Sequence, residues 1–121
     1  MIEETVSLLD IPNMTPNTSL TPSDSQKLHL LDIVKLSITA MGNFGSNATS
    51  PVNVYIFSSP DGDCWDTTPI LSFSLESSPG DRCQKTEILF PDVRYIAAGA
   101  VNPNISGYIY NFKVLAYTVK P

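Results

Sequence analysis

Ser58-Ser59-Pro60-Asp61-Gly62-Asp63-Cys64-Trp65-Asp66 is the stretch that decides the class of this chain. Pro60 presets φ at the second place of a turn, Asp61 tolerates the bridge region after it, and Gly62 supplies the positive φ that reverses the chain. The flanks alternate. Val52-Asn53-Val54-Tyr55-Ile56-Phe57-Ser58 sets Val52, Val54 and Ile56 on one face and Tyr55 and Phe57 on the other, and Ile70 to Glu76 sets Leu71, Phe73 and Leu75 against serines. A reversal between two half-buried strands is a hairpin corner. No His, Lys or Glu stands beside it for acid-base work, so the corner is architecture first.

The period of two continues in both directions. In Ile33 to Ala40, the positions Val34, Leu36, Ile38 and Ala40 share a face, and Met41 to Pro51 reads as a loop by its Gly, Asn and Ser content. Ser78-Pro79-Gly80-Asp81 has the residues of a type II turn and is expected to join two paired strands, the second being Cys83 to Phe90, ended by Pro91-Asp92. Val93 to Val101 is a continuous small and apolar run, expected as a central strand buried on both sides. Tyr108 to Val119 closes the chain as a long strand. The expected fold is all-β, an antiparallel β-sandwich of jelly-roll or immunoglobulin-like topology. The Cys…Trp…Cys spacing of a true immunoglobulin domain is missing, because Trp65 directly follows Cys64.

The first segment differs in composition. Val6-Ser7-Leu8-Leu9-Asp10-Ile11 is followed by Pro12 to Ser25, whose three prolines and many hydroxyl residues oppose a helix and disfavour a ladder. Residues 1–27 are therefore expected to form an extended N-terminal arm and linker, with residues 28–121 as the sandwich domain. Val6, Leu8, Leu9 and Ile11 are costly to leave in water, so this piece adds a strand to its own domain or docks on a neighbour. With Tyr55 and Phe57, on an unusually aromatic outer face, they are the expected partner-contact residues.

At 121 residues the chain is expected to hold one core, and its 16% charged residues against 42% hydrophobic suit a surface that meets neighbours. The formal net charge is −5 and the seven Lys and Arg residues are scattered, which disfavours nucleic acid. No apolar run approaches the roughly 20 residues of a bilayer span, so no membrane is expected. The acidic start, Met1-Ile2-Glu3-Glu4, is unlike a secretory signal, and the chain is expected to stay in the cytoplasm of the cell that makes it. In such a compartment Cys64 and Cys83 are expected as free thiols rather than a disulfide. The glycosylation triplets at Asn17, Asn47 and Asn104 are expected by chance in a chain rich in Ser and Thr.

Candidate chemistry is sparse. His29, the one histidine, lacks the partners of a metal or nucleophilic site. Asp61, Asp63 and Asp66 could offer oxygen ligands to a hard cation, but Gly62 falls between the first two and no glutamate closes the loop, and turn capping accounts for them without a metal. Trp65 is expected to close one end of the core, the alternative being a sugar-stacking surface. No paired carboxylates, phosphate loop, catalytic residue or cofactor site is found, and the chain reads as a non-enzyme.

The alternating strand ending in Val54-Tyr55-Ile56-Phe57, the Ser59-Pro60-Asp61-Gly62 corner with Trp65-Asp66, and Arg94-Tyr95-Ile96 opening a later strand together resemble small β-sandwich virion proteins of tailed bacteriophages. The likeness spans Asp32 to Val119. It implies a capsid decoration (cement) protein on the capsid surface, or a tail or neck component. It also implies the major capsid protein or other virion subunits as partners, and a homo-oligomer, with a trimer favoured. A carbohydrate-binding module on a fibre or cell surface is the alternative from a different class.

Overall fold

A computed structural model describes residues 1–121. Nine strands run in chain order: β1 (Ile2–Met14), β2 (Ser19–Leu20), β3 (Leu28–His29), β4 (Lys35–Phe44), β5 (Val52–Ser59), β6 (Leu71–Leu75), β7 (Arg82–Ile88), β8 (Tyr95–Val101) and β9 (Ile109–Lys120), with one 3-10 turn at Pro22–Asp24. They form two antiparallel sheets, one ordered β1-β9-β4-β7 and the other β2-β8-β5-β6, with β3 also paired to β8. No helix is long and apolar enough to cross a membrane.

The pairing fixes the topology. Because β2 and β3 both lie along β8, they act as two pieces of one interrupted strand. Counted so, the first strand pairs with the last and each inner strand with its mirror in the order, down to the β5–β6 hairpin. That nesting is a jelly roll. An immunoglobulin domain pairs its first two strands in one sheet, so that alternative is overturned. The Pro79-Gly80 turn likewise does not join paired strands: β6 and β7 lie in different sheets, and the turn carries the chain across the sandwich.

The core lies between the sheets. Leu36, Ile38 and Ala40 of β4 face Val52, Val54 and Ile56 of β5, with Phe73 and Leu75 of β6, Ile96, Ala98 and Ala100 of β8, and Ile109, Phe112, Val114 and Ala116 of β9. Each large apolar side chain so buried contributes about 1.5–3 kcal/mol. Val34, expected on this face, stands before the strand begins and is exposed. The expected loop at Met41 starts later, since β4 runs on to Phe44. Asn111, at φ 51°, takes up the register shift of β9 against β4 between Met41 and Asn43.

The N-terminal segment does not stand off as an arm. β1 pairs along the whole of β9, from Ile2 opposite Lys120 to Met14 opposite Ile109. A β-bulge between Ser7 and Leu9 adds one residue, and so two consecutive leucines both turn inward, Leu8 at 1% exposure and Leu9 at 2%. The Pro-rich stretch that follows is also tied down. Asn102 N–H donates to Thr18 O at 2.8 Å, Ala98 N–H to Ser25 Oγ at 3.0 Å, and Gln26 N–H to Leu8 O at 2.9 Å. It crosses β8 so closely that a Cβ on Gly99 would stand 2.7 Å from Leu20 O. This cover is why β8 is buried on both faces, as its small side chains suggest. The packed unit is therefore continuous from β1, and residue 27 marks no boundary in it.

At one end of the sandwich two buried asparagines join three loops. Asn102 Nδ2 donates to Thr15 O and Gly107 O, both at 3.0 Å, while its Oδ1 accepts from Asn104 Nδ2 at 2.8 Å. Asn104 in turn accepts from Ser50 N–H at 2.7 Å and donates to Ser50 O at 2.9 Å. Every polar atom of both amides is used, as burial requires. Asn104, one of the three glycosylation triplets, is buried by this role.

Candidate interaction surface

The six expected contact residues fall into two groups. Val6, Leu8, Leu9 and Ile11 belong to the interior: Leu8 and Leu9 are in the core, and Val6 and Ile11 pack against it, opposite buried Ala116 and Phe112. They cannot meet a partner while β1 is seated, which corrects that expectation for Leu8 and Leu9 outright. Tyr55 and Phe57 lie on the outer face of β5, half-buried, with ring centroids 6.3 Å apart. They floor a shallow depression with Leu20, Pro22, Pro69 and Val101, so the N-terminal segment forms one wall of it.

The more exposed apolar surface lies on the other sheet, at the end of β7. Ile88 and Phe90 are 79% and 77% exposed, and Val34 and Tyr117 stand beside them around a cleft floored by Leu36 and Leu89. The directly opposed residues Ser37 and Ile88, and Ser37 and Tyr117, place both side chains on the outer face of the sheet. The Tyr117 hydroxyl is pushed up from its ordinary pKa, first by its hydrogen bond to Glu3. Sequence reasoning missed this patch, although Ile88-Leu89-Phe90 carried the signal. Three successive apolar residues cannot all point inward from a strand of period two.

The charged corner is occupied by its own turn. Ser59 Oγ accepts from Gly62 N–H at 2.9 Å and donates to Asp61 Oδ1 at 3.0 Å. Asp61 Oδ1 also accepts from the N–H groups of Asp63 and Cys64, both at 2.9 Å. The Cys64 and Asp63 backbone bonds, then the Ser59 hydroxyl, lower the Asp61 pKa from 3.8 to about 2. Gly62 has φ 80°, as its place in the turn demands. Asp66 Oδ2 accepts from Ser58 Oγ at 2.8 Å, and Asp63 meets Lys27 at 3.8 Å in the open. No group of three or more His, Cys, Asp or Glu residues is arranged to hold a metal ion.

Trp65 does not close the core. It is half-buried in the corner loop and lies outside the cluster of core residues. The His29 ring stacks on Tyr95, with centroids 4.5 Å apart and planes at 13°, so the imidazole works as a flat packing surface. Cys64 and Cys83 are both free thiols.

No protein-family model and no curated protein sequence matches the chain. Solved structures do resemble it. VP2 in the infectious bursal disease virus subviral particle aligns over 98% of this chain and 32% of its own, with TM-score 0.56 and 13% identity. PBSX exported protein XepA aligns over 98% of this chain and 37% of its own, with TM-score 0.60 and 11% identity. Murine APRIL aligns over 99% of this chain and 100% of its own, with TM-score 0.53 and 8% identity. The chain thus spans about a third of the length of the first two. At these identities the likeness is one of fold.

Proposed function

We propose that this chain is a non-enzymatic structural subunit of a bacteriophage virion, a capsid decoration protein that binds across junctions between capsomers on the head surface. The observation that carries the reading is the exposed apolar patch of Val34, Ile88, Phe90 and Tyr117 on the outer side of the jelly roll. Contiguous apolar surface of this kind marks a contact with another macromolecule. Jelly rolls recur in viral capsid domains, and the likeness to VP2 and XepA agrees with that setting. Such a subunit works through contact area spread over its neighbours, with the major capsid protein as partner, and transforms no substrate. The test is co-sedimentation of the purified chain with phage heads that lack it. Association is expected, weakened when Phe90 and Ile88 are replaced by Ser in a chain that keeps its melting curve. Heads that never retain the intact chain would overturn the reading.

One observation favours a sugar-binding module as the second reading, the Tyr55–Phe57 ring pair open beside Pro69. A glycan retained by the intact chain and lost on Tyr55→Ala would move the assignment there.

A further inference from the structure

We propose that β7 is a self-pairing edge that joins two copies of this chain into a two-fold dimer with one continuous eight-stranded sheet. The inference rests on the backbone directions and the charges of this strand and stands whether or not the protein belongs to a virion.

The hydrogen-bond directions come first. Leu89 N–H donates to Leu36 O at 3.2 Å, and Asp81 O accepts from Phe44 N–H at 2.9 Å, so the odd-numbered residues of β7 turn their backbone groups toward β4. The register between the two strands is unbroken from Ser37–Ile88 to Asn43–Arg82. By the alternation of an antiparallel ladder, Arg82, Gln84, Thr86 and Ile88 turn their N–H and C=O groups away from the sheet, where no backbone partner meets them. This is an open row of donors and acceptors.

Charge then selects the register. A second copy pairing antiparallel must oppose even residues to even residues, so the two-fold axis passes through one residue of β7. Centred on Lys85 it sets two lysines face to face, and centred on Glu87 it sets two glutamates face to face. Centred on Thr86 it opposes Lys85 to Glu87 of the second copy, and Glu87 to Lys85, while Gln84 meets Ile88. In one chain these charges already lie 3.5 Å apart on the inner side of the strand. Like charges directly opposite destabilise a pair and unlike charges stabilise it, so the Thr86 register wins. The pairing is isologous and closes on itself. It is a two-fold arrangement, where the resemblance implied a trimer. It also carries Phe90 toward Arg82 of the second copy and sets the two apolar patches on one face of the joined sheet.

Light scattering on the purified full chain across a concentration series tests this. A mass twice the 13.2 kDa of one chain is expected. Glu87→Lys and Lys85→Glu, each alone, oppose like charges twice and should raise the dimer dissociation constant roughly tenfold or more. Mixing the two variants should restore the doubled mass, because each then faces its complement. In a Cys64→Ser, Cys83→Ser background, Thr86→Cys should form an intermolecular disulfide on oxidation, since the Cα separation of a hydrogen-bonded pair, about 5.5 Å, is within disulfide reach. A monomer at every concentration, a three-chain mass, a dimer indifferent to Glu87→Lys, or no cross-link through Thr86→Cys would each overturn the proposal. If a charge variant loses its circular dichroism spectrum, the cross-link decides.

Discussion

β1 and β7 form the two edges of one sheet and meet the same solvent with different side chains. β1 sends Leu8, Leu9 and Met14 into the core and is broken by a bulge whose carbonyl is taken up by Gln26. β7 sends inward only half-buried Cys83 and the Lys85–Glu87 pair, and keeps its apolar side chains, Ile88 and then Phe90, on the outside. The first strand is bound by what it buries, the other by its ladder to β4. β1 is fixed by the leucines it buries and by one outer backbone bond to Gln26, whereas β7 contributes little to the core and keeps the groups a neighbour needs along its whole free side.

The largest expected effect is on the β1 side. Deleting residues 1–14 should abolish cooperative unfolding, because it strips β9 of a ladder and opens the core beneath Leu8 and Leu9. A truncated chain that still melts within a few degrees of the intact one would break the comparison. Leu9→Ala should lower stability by about 2–5 kcal/mol in urea denaturation, and Asn102→Ala, which orphans the carbonyls at the end of β1, by about 1–3 kcal/mol.

Asp61 offers a smaller control away from both edges. Its folded pKa is depressed, so the stabilisation it gives is complete above the ordinary 3.8 and is lost as pH falls from there to about 2. Asp61→Asn should flatten that acid limb of the melting temperature and leave its slope above pH 5 unchanged. The smallest effect belongs to β7. Ile88→Thr should change stability by no more than about 0.5 kcal/mol, and a loss comparable with Leu9→Ala would erase the distinction between the edges.

How much of this was readable in the chain depended on whether alternation held. β4, β5 and β6 keep a strict period of two, and Leu36, Ile38, Val54, Ile56 and Phe73 were placed correctly from it. The all-small run Ala97-Ala98-Gly99-Ala100 announced a strand covered on both faces, and the structure supplies the cover. The failures sit where one inserted residue or one strand end breaks the period. The segment around Leu8-Leu9 read equally as a strand of its own domain or a docking surface, and the structure makes it the strand; the bulge that turns both leucines inward cannot be seen in a pattern that assumes none. The prolines and serines of residues 12–25 looked loose because their anchors are backbone groups of β8, some eighty residues away in the chain. Trp65 sits in the corner loop, where no alternation fixes the side its ring faces, so the expectation that it closes the core had no period to rest on. The β7-end patch was written as Ile88-Leu89-Phe90 and went unread. Topology was out of reach altogether, since strand count is the same for several ways of nesting.

The nested pairing also sets the order in which a nascent chain can fold. β1 finds its ladder only in β9, about a hundred residues further along the chain, whereas β5 and β6 meet as soon as the corner between them emerges. A contact map dominated by partners so distant in sequence folds slowly. Until β9 emerges, Leu8 and Leu9 have no lodging, and apolar surface left open in that interval is where misassembly begins.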